Sequence, residues 1–491
     1  MTGIVRYGGY VPRYRLERKK IFKAMGWMDP STAGNMKGEK AVANFDEDSL
    51  TMAVGAGLAT LTGVKRSEVD GVYLASTTMP YKERLNAGIV TEALGFDEKV
   101  RSADFSGGLK AGTTALLSAL DAVQGGSMGQ ALVCASDCRL GRPATAEEMI
   151  FGDAAAAFLV GTKDVIAEFK GSYSVTYDFG DHYRGEFAKY DRKWEDRWIR
   201  DLGFDEFVPK AVKGLLGKYK LKMGDFSRVI YDCHYGAERS KLNKMLGITP
   251  EMDSPNFQAE VGLCGTAQSL FMLASALETA KAGEKILVVS FGSGCDALYF
   301  EVTKNIEKIS RGGIGQLLAD KLDLEPYEKY LVWRDILPAD LGMRSEEDLW
   351  TRWSALWRSH KEVMGLWGTK CTKCGTPQFP AQKVCVNPDC GAIEEMEPYL
   401  FSDKLGRIAS YTGDMLAASF NPPAIYGAVV FEGGGKYYFD FTDCSLGDLS
   451  TGMAVKMSFR RKYHDMKRDI SGYFWKAVPV KPVKPVNKEV K

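Results

Sequence analysis

Four cysteines in the last third of the chain have the spacing of a metal site. Cys371 and Cys374 form a Cys-x2-Cys pair, and Cys385 and Cys390 form a Cys-x4-Cys pair ten residues later. Four thiolates at these separations can close around one tetrahedral Zn²⁺, and a glycine after each pair allows a tight turn. Because four sulfur ligands leave no position for water, the pattern predicts a structural zinc ion. The surroundings lack the basic and aromatic residues of a nucleic-acid knuckle.

A second chemical signal is a segment that the chain contains twice, at residues 108–137 and 262–292. Each copy has a small-residue turn, an apolar helix of about four turns, a short turn and a hydrophobic strand. The copies lie about 155 residues apart, a separation much longer than that of solenoid or propeller repeats. This duplication predicts two fused half-domains whose pseudo-dyad brings both turns to one central site.

The elements that must hold these turns follow an α/β pattern. From residue 1 to about 305, hydrophobic strands alternate with helical stretches, which favours layered α/β structure with mixed sheets. Predicted strands include residues 69–76, 155–160 and 297–302, and predicted helices include residues 46–61, 113–123 and 267–282.

The remaining chain is predicted to contain four further segments. Residues 306–360 are charged and helical, and indicate a connecting arm packed on the first domain. Its tryptophans, predicted to be packing anchors, are Trp333, Trp350, Trp353 and Trp357. Residues 361–398 hold the zinc ribbon. The short strands and glycine-rich turns of residues 399–480 predict a small β-barrel, and residues 481–491, rich in Lys-Pro-Val, predict a disordered tail.

Composition excludes several classes of function. Among 491 residues, 64 Lys and Arg balance 63 Asp and Glu, so there is no general attraction to nucleic acid or membrane. No stretch approaches 18 consecutive apolar residues, and the start lacks a signal-peptide pattern. The scattered cysteines suit reduced thiols. These features predict a soluble, cytoplasmic protein, and no Gly-x-Gly-x-x-Gly turn indicates dinucleotide chemistry.

Three motifs in the first 305 residues carry a family resemblance, namely Gly8–Leu16, Gly38–Val42 and Phe151–Ala157. This region resembles the hydroxymethylglutaryl-CoA synthase family of the thiolase superfamily. The resemblance implies a duplicated five-layered αβαβα thiolase fold with halves at residues 1–165 and 166–305. It also implies a homodimer, an acyl-CoA substrate and coenzyme A as part of that substrate.

Residues 356–480 resemble a family that joins a rubredoxin-like zinc ribbon to an OB fold. Members of that family accompany thiolase-like enzymes, either as separate subunits or fused to them. The resemblance implies that the barrel caps the substrate tunnel or binds part of the CoA. It leaves open a hydratase, dehydrogenase or thiolase as a partner.

The expected catalytic residues match this family only in part. The family uses a Cys nucleophile at the N-terminus of a buried helix, assisted by a His, a Glu and an Asn. His234, at the end of a buried strand, matches the His. The other three positions hold Leu109 for the Cys, Thr77 for the Glu and Leu263 for the Asn. A leucine cannot form an acyl-enzyme, so covalent chemistry at this position is excluded.

Three hypotheses remain for the activity. The first is non-covalent aldol or retro-aldol chemistry on a β-hydroxyacyl-CoA. In that scheme His234 is the base, because the unperturbed pKa of histidine lies near neutrality, and backbone N–H groups of the two turns hold the enolate. Tyrosines near the site are possible donors: Tyr235, Tyr231 and Tyr81.

The second hypothesis is a synthase or acyltransferase whose nucleophile has moved to Cys264, in the second turn. The helix start there could lower the pKa of the thiol, although a buried small-residue role is the alternative. The third hypothesis is a non-catalytic acyl-CoA-binding scaffold that partners an active thiolase.

Positive side chains near the site are candidates for binding the phosphates of the CoA. Lys110 lies beside the altered nucleophile position, and Arg139 and Arg142 follow the first repeated strand. A solvated surface charge is the alternative role for each of them.

Overall fold

The computed structural model describes residues 1–310, 313–340 and 352–480. The chain divides into two compact units, Met1–Leu337 and Pro338–Lys491. Within the described residues, no helix has the length and apolar character needed to cross a membrane.

The described part of the larger unit contains fourteen strands, most of which form one mixed sheet. They are β1 Gly3–Tyr10, β2 Tyr14–Glu17, β3 Glu39–Val42, β4 Gly71–Ala75, β5 Arg101–Phe105, β6 Gln130–Asp137, β7 Ala154–Gly161, β8 Ala167–Thr176, β9 His182–Tyr183, β10 Arg192–Lys193, β11 Arg228–Tyr231, β12 Lys285–Phe291, β13 Gly294–Val302 and β14 Leu322–Asp323.

The helices of this unit alternate with these strands along the chain. They are α1 Arg18–Met25, α2 Ser49–Thr60, α3 Asn86–Ala93, α4 Ala111–Gln124, α5 Ala146–Ile150, α6 Asp196–Trp198, α7 Val208–Tyr219, α8 Gly236–Leu246, α9 Gln268–Thr279, α10 Ile314–Ala319 and α11 Tyr327–Trp333, with a π-helical turn at Ile199–Phe207.

The order of the nine strands in the main sheet shows the duplication directly. It reads β11-β12-β13-β8-β1-β7-β6-β4-β5. In the first half β4 is parallel to β6, β6 is antiparallel to β7, and β7 is antiparallel to β1. In the second half β11, β12, β13 and β8 repeat the same three relations. The predicted duplicated α/β fold is therefore confirmed.

The two halves meet at the centre of the sheet and at their buried helices. Strands β1 and β8 join through the pairs Gly3 with Glu168 and Ile4 with Ala167. Helices α4 and α9, which follow the two repeated turns, are apolar and largely buried, as expected of helices inside a layered core. A Cβ on Gly112 of α4 would lie 2.3 Å from the carbonyl oxygen of Thr266, so this close approach requires glycine.

Each half also supplies a buried carboxylate to the turn of the other half. Asp137, at the end of β6, accepts a hydrogen bond of 2.7 Å from the backbone N–H of Thr266 in the second turn. Asp296, on β13, accepts hydrogen bonds from Thr113 Oγ1 at 2.8 Å and from Lys110 Nζ at 3.1 Å. Asp137 and Asp296 are 0% and 1% exposed, so these contacts fix the two turns against each other.

The predicted connecting arm is divided by the boundary between the units, which falls after Leu337. Before that boundary, β14 pairs with β2, and Trp333 packs edge-on against Tyr14 with the ring centroids 4.8 Å apart. Trp333 is thus a packing anchor. In the smaller unit, Trp353 and Trp357 are 51% and 70% exposed, which contradicts the anchor role for these two. Trp350 and the predicted tail at residues 481–491 lie outside the described residues.

The smaller unit is rich in β-structure. It has helices α12 Trp353–Arg358 and α13 His360–Gly365 and strands β15 Trp367–Cys371, β16 Pro377–Gln378, β17 Met396–Leu400, β18 Gly406–Asp414, β19 Ala424–Phe431, β20 Lys436–Asp440, β21 Ala454–Asp465 and β22 Ile470–Pro479. The last five strands form a sheet in the order β20-β19-β18-β21-β22. A parallel bridge between Phe441 and Ala477 joins its two edges, as a small barrel would require. The OB-fold assignment stays a prediction.

Candidate functional site

An open cavity of about 730 Å³, including its solvent-filled mouth, lies in the larger unit. Residues from both halves line it: Leu109 and Arg139 come from the first, and His234, Tyr235 and Leu263 come from the second. The duplication thus brings both repeated turns to one cavity, as the sequence predicted.

Leu109 lies in the first repeated turn, two residues before the start of α4. It is half-buried and lines the cavity. The first N–H groups of a helix have no intrahelical acceptors and carry a partial positive charge, so they attract a developing oxyanion. A Cβ on Gly292 would lie 2.7 Å from the backbone nitrogen of Leu109. Glycine at this position therefore lets the end of β12 approach the turn closely.

His234 follows β11 and lines the same cavity. Its ring lies against that of Tyr235, with centroids 3.8 Å apart. Desolvation lowers the pKa of His234 to about 4, and the positive charges of Lys193 and Arg139 act in the same direction. The expectation of an unperturbed pKa is wrong. The imidazole is neutral at pH 7, and this form can donate a hydrogen bond to a thioester oxygen but is a weak base.

Tyr235 is held in an ionic network at the cavity wall. Its hydroxyl donates to Asp196 at 2.8 Å, and burial raises its pKa. Lys193 bonds both Asp196, at 2.9 Å, and Glu147, at 2.5 Å. The phenol is therefore protonated and committed to a carboxylate, which favours a positioning role. The other two predicted phenolic donors, Tyr231 and Tyr81, are not part of the cavity lining among the described residues.

The three predicted phosphate-binding cations have different surroundings. Arg139 lines the cavity but is only 5% exposed. Its Nε donates to Asp191 at 2.5 Å, and its guanidinium lies 4.0 Å from the ring centroid of Phe151. Lys110 is ion-paired with Asp296 at 3.1 Å. Arg142 is exposed and packs near an aromatic ring. Lys110 and Arg139 thus have internal partners, which weakens their assignment to CoA phosphates.

Thr77 and Cys264 support the site from behind the cavity surface. Thr77 donates its backbone N–H and its hydroxyl to Asp137, at 2.7 Å and 3.0 Å. Cys264 is 1% exposed, and its Sγ lies 3.4 Å from the carbonyl oxygen of Gly262. Neither residue is among those described as lining the cavity.

The expected activation of Cys264 is wrong in its physical basis. A 3₁₀ turn at Gly265–Ala267 separates it from α9, which begins at Gln268. Burial raises the pKa of the thiol, and the carboxylates of Asp153 and Asp137 act in the same direction. This environment favours the buried structural role for Cys264.

Sequence analysis missed seven ionisable residues that line the cavity: Glu147, Asp181, His182, Asp191, Arg192, Lys193 and Asp232. Burial raises the pKa of Asp232 to about 7, and the nearby Asp181 carboxylate acts in the same direction. Asp232 lies two residues before His234 and follows a buried strand, a position that could have indicated it. Asp181 precedes and His182 begins the two-residue strand β9, which is too short for any periodicity to point to them.

The zinc site is assembled in the smaller unit as the spacing predicted. The sulfur atoms of Cys371, Cys374, Cys385 and Cys390 all lie within 4.8 Å of one another. The Cys371–Cys390 and Cys374–Cys385 separations are 3.8 Å and 3.5 Å. Zn–S bonds of about 2.3 Å in a tetrahedron place sulfurs about 3.8 Å apart. The four thiols therefore fit a closed, structural zinc site.

Comparison with known proteins agrees with both units. A hydroxymethylglutaryl-CoA synthase from Caldivirga maquilingensis is 32% identical over 347 residues, which are 68% of this chain and 98% of the relative. Residues 365–394 match the family of the ChsH2 rubredoxin-like zinc ribbon domain.

Solved structures share the fold. An HMG-CoA synthase complexed with CoA has a TM-score of 0.61 at 20% identity, covering 71% of this chain and 95% of that one. MvaS in complex with 3-hydroxy-3-methylglutaryl coenzyme A has a TM-score of 0.60 at 21% identity, covering 71% and 94%.

The fold and these relatives place the chain among the thiolase-superfamily proteins of the acyl-CoA condensing type, and a zinc ribbon follows the thiolase fold in this chain. Within that class, the chain belongs to the hydroxymethylglutaryl-CoA synthase family.

Proposed function

We propose that this protein catalyses reversible aldol chemistry on a β-hydroxyacyl-CoA without forming an acyl-enzyme. The main support for the proposal is that Leu109, just before the start of α4, lines the cavity at the position where the family has its nucleophile. Five cysteines of the larger unit fall within the described residues, and none of these lines the cavity. A covalent route therefore has no accessible sulfur there, whereas an aldol cleavage needs none.

The proposed reaction cleaves the Cα–Cβ bond of the acyl group. In the cleavage direction the β-hydroxyl loses its proton, the Cα–Cβ bond breaks, and its electron pair enters the thioester as an enolate. An aldehyde or ketone leaves, and protonation of the enolate at Cα gives the shortened acyl-CoA. The proton lost from oxygen is regained at carbon, so no external oxidant or reductant is needed.

The cavity offers groups suited to the enolate oxygen. Neutral His234 can donate an N–H, and the start of α4 beside Leu109 supplies a partial positive charge. Such donors act on charge that develops in the transition state. The named relatives are synthases of hydroxymethylglutaryl-CoA, itself a β-hydroxyacyl-CoA, and this substrate class is the one we carry over.

We also propose that the protein is a homodimer acting in the cytoplasm.

The test is a cleavage assay with a panel of 3-hydroxyacyl-CoA esters, read by mass spectrometry of the shortened acyl-CoA. We expect His234→Ala to lower kcat by about 100-fold or more, the usual scale of a lost transition-state donor. The matched control is His464→Ala in the smaller unit, which should leave kcat unchanged. Intact-protein mass spectrometry during turnover should show no acyl adduct.

Two outcomes would overturn the proposal in different ways. An acyl group on Cys264 during turnover would establish the transferase alternative. Saturable binding of acyl-CoA without turnover of any ester would establish the scaffold alternative.

A further inference from the structure

A second imidazole lies in the cavity, and nothing above gives it a role. The chain has four histidines, and two of them, His182 and His234, line this cavity. They differ in their partners. His182 Nδ1 lies 2.9 Å from Asp181 Oδ2, whereas within the described residues His234 has a ring contact with Tyr235 but no hydrogen-bonded carboxylate.

Asp181 is itself fixed by the backbone. It is 5% exposed, and its Oδ1 accepts a hydrogen bond of 3.2 Å from the N–H of Ser293. The hydroxyl of Ser293 also donates to the carbonyl oxygen of Phe179 at 3.1 Å. Two hydrogen bonds therefore hold the segment before His182 to the turn between β12 and β13.

The turn between β12 and β13 also lies close to Leu109, just before the start of α4. Gly292, beside Ser293, lies so close to Leu109 that a Cβ would be 2.7 Å from the Leu109 nitrogen. The Asp181–His182 pair is consequently anchored to the same backbone that borders the predicted thioester position. This arrangement makes the pair part of the site rather than of a distant wall.

The hydrogen bond to Asp181 determines what the imidazole can do. A carboxylate that accepts from Nδ1–H selects the tautomer with its lone pair on Nε2 and stabilises the imidazolium that forms when Nε2 takes a proton. This is the arrangement of a general base with an orienting group. His234 lacks that support, and its pKa is lowered to about 4, which suits a hydrogen-bond donor instead.

We propose that Asp181 and His182 form the proton-transfer pair of the site, with His182 as the base for the β-hydroxyl and Asp181 as its positioning residue. This inference rests on the proposed aldol function. In cleavage, Nε2 of His182 takes the hydroxyl proton as the Cα–Cβ bond breaks and the electron pair enters the enolate. The imidazolium then returns that proton to Cα, so His182 ends neutral and the shortened acyl-CoA is released.

The experiment compares four variants of the full-length, zinc-loaded protein with the parent in the 3-hydroxyacyl-CoA cleavage assay. We expect His182→Ala to lower kcat by about 100-fold or more, with KM changed less than about threefold. Added imidazole should restore part of the lost rate. Asp181→Asn should lower kcat by about 10-fold or more at unchanged KM, and Asp181→Glu should recover part of it. Tyr183→Phe, at the exposed neighbour on β9, is the matched control and should keep the parent's kcat.

The results separate this inference from the function on which it rests. A parent protein that cleaves no ester overturns both. An active parent whose His182→Ala variant keeps kcat within threefold overturns the assignment of the base alone. A loss in His182→Ala accompanied by an equal loss of thermal stability, and not relieved by imidazole, overturns it as well, because a merely structural histidine would behave in this way.

Discussion

The two copies of the repeated turn have matching places in their half-domains, but Leu109 in the first and Cys264 in the second differ in exposure. Leu109 is half-buried at the edge of an open cavity, and α4 begins two residues later. Cys264 is 1% exposed inside the core, and a 3₁₀ turn separates it from α9. The chemically reactive side chain of Cys264 is therefore buried, although its neighbours Leu263 and Gly265 line the same cavity as the inert Leu109. Access rather than residue type decides which side chain of each turn can meet a ligand.

The largest expected effect comes from placing a thiol at the cavity-lining position of the first turn. In the Leu109→Cys variant, iodoacetamide should modify the new thiol about 100-fold faster than Cys264, because thiolate character and exposure control the rate. Burial keeps the pKa of Cys264 raised. Time-resolved peptide mass spectrometry measures both rates in one sample. After unfolding in urea, the two thiols should react alike. Comparable rates in the native protein would contradict the contrast between the turns.

The next test removes the carboxylates that link the turns. Asp137 accepts five hydrogen bonds, from Ser76, from the N–H and hydroxyl of Thr77, from Thr78 and from Thr266. Asp137→Asn should lower the free energy of unfolding by about 3 kcal/mol, because hydrogen bonds to a buried charge are strong and orphaned donors are costly. Urea titration monitored by circular dichroism measures it.

The matched variant is Asp296→Asn, at the carboxylate of the other half. It accepts from Lys110, Thr113 and Thr114, so we expect a smaller loss, about 2 kcal/mol. Equal losses would show that the two turns are held equally, and a larger loss in Asp296→Asn would show that the first turn is held more strongly. Either result would contradict the expected difference.

A smaller effect is expected where the two central helices touch. Gly112→Ala places a Cβ 2.3 Å from the carbonyl oxygen of Thr266, and the required shift should cost about 2 kcal/mol. Gly217→Ala in α7 is the control, since no heavy atom lies within 4 Å of its added Cβ. That control should gain about 0.5 kcal/mol from helix propensity. A neutral Gly112→Ala variant would show that the helices separate easily.

The smallest expected effect concerns Asp232, a titrating group that the second half supplies to the cavity. Burial raises the pKa of Asp232 from 3.8 to about 7, with Asp181 adding to this effect and Arg239 opposing it. Between these two values the folded state keeps a proton that the unfolded chain has lost. The stability that the group confers therefore falls as pH rises through this window.

Asp232→Asn removes that pH-dependent cost. Relative to the parent, the free energy of unfolding of this variant, measured by thermal unfolding, should rise by about 1 kcal/mol between pH 5 and pH 8. This figure allows for the partial exposure of the Asp232 side chain. His234 titrates with the opposite sign, since its pKa is lowered, so the variant and the parent are compared at each pH. A difference independent of pH would contradict the raised pKa.

The fold could be predicted from the sequence because its signals are local or repeated. Apolar runs indicated β4, β7 and β13, and the duplicated segment indicated α4 and α9 with bounds wrong by at most three residues. The zinc ligands followed from spacing alone, because turn geometry fixes where four nearby sulfurs can meet.

The site was less predictable because its chemistry depends on contacts between distant residues. Lys110 is paired with Asp296, and Arg139 is paired with Asp191, which no short-range pattern reveals. The pKa of His234 depends on desolvation by the assembled cavity. Asp181 and His182 reach the cavity from a segment without regular periodicity, pinned there by Ser293, more than a hundred residues away in sequence.

The exchanged carboxylates make the two halves mutually dependent. A fragment ending after β7 would contain Asp137 without the Thr266 amide, and a fragment starting at β8 would contain Asp296 without Lys110. To fold alone, each fragment would have to bury a carboxylate whose partner is missing, which is a costly state for an interior group. Neither fragment should fold alone, but co-expression of the pair should reconstitute the native sheet through complementation in trans.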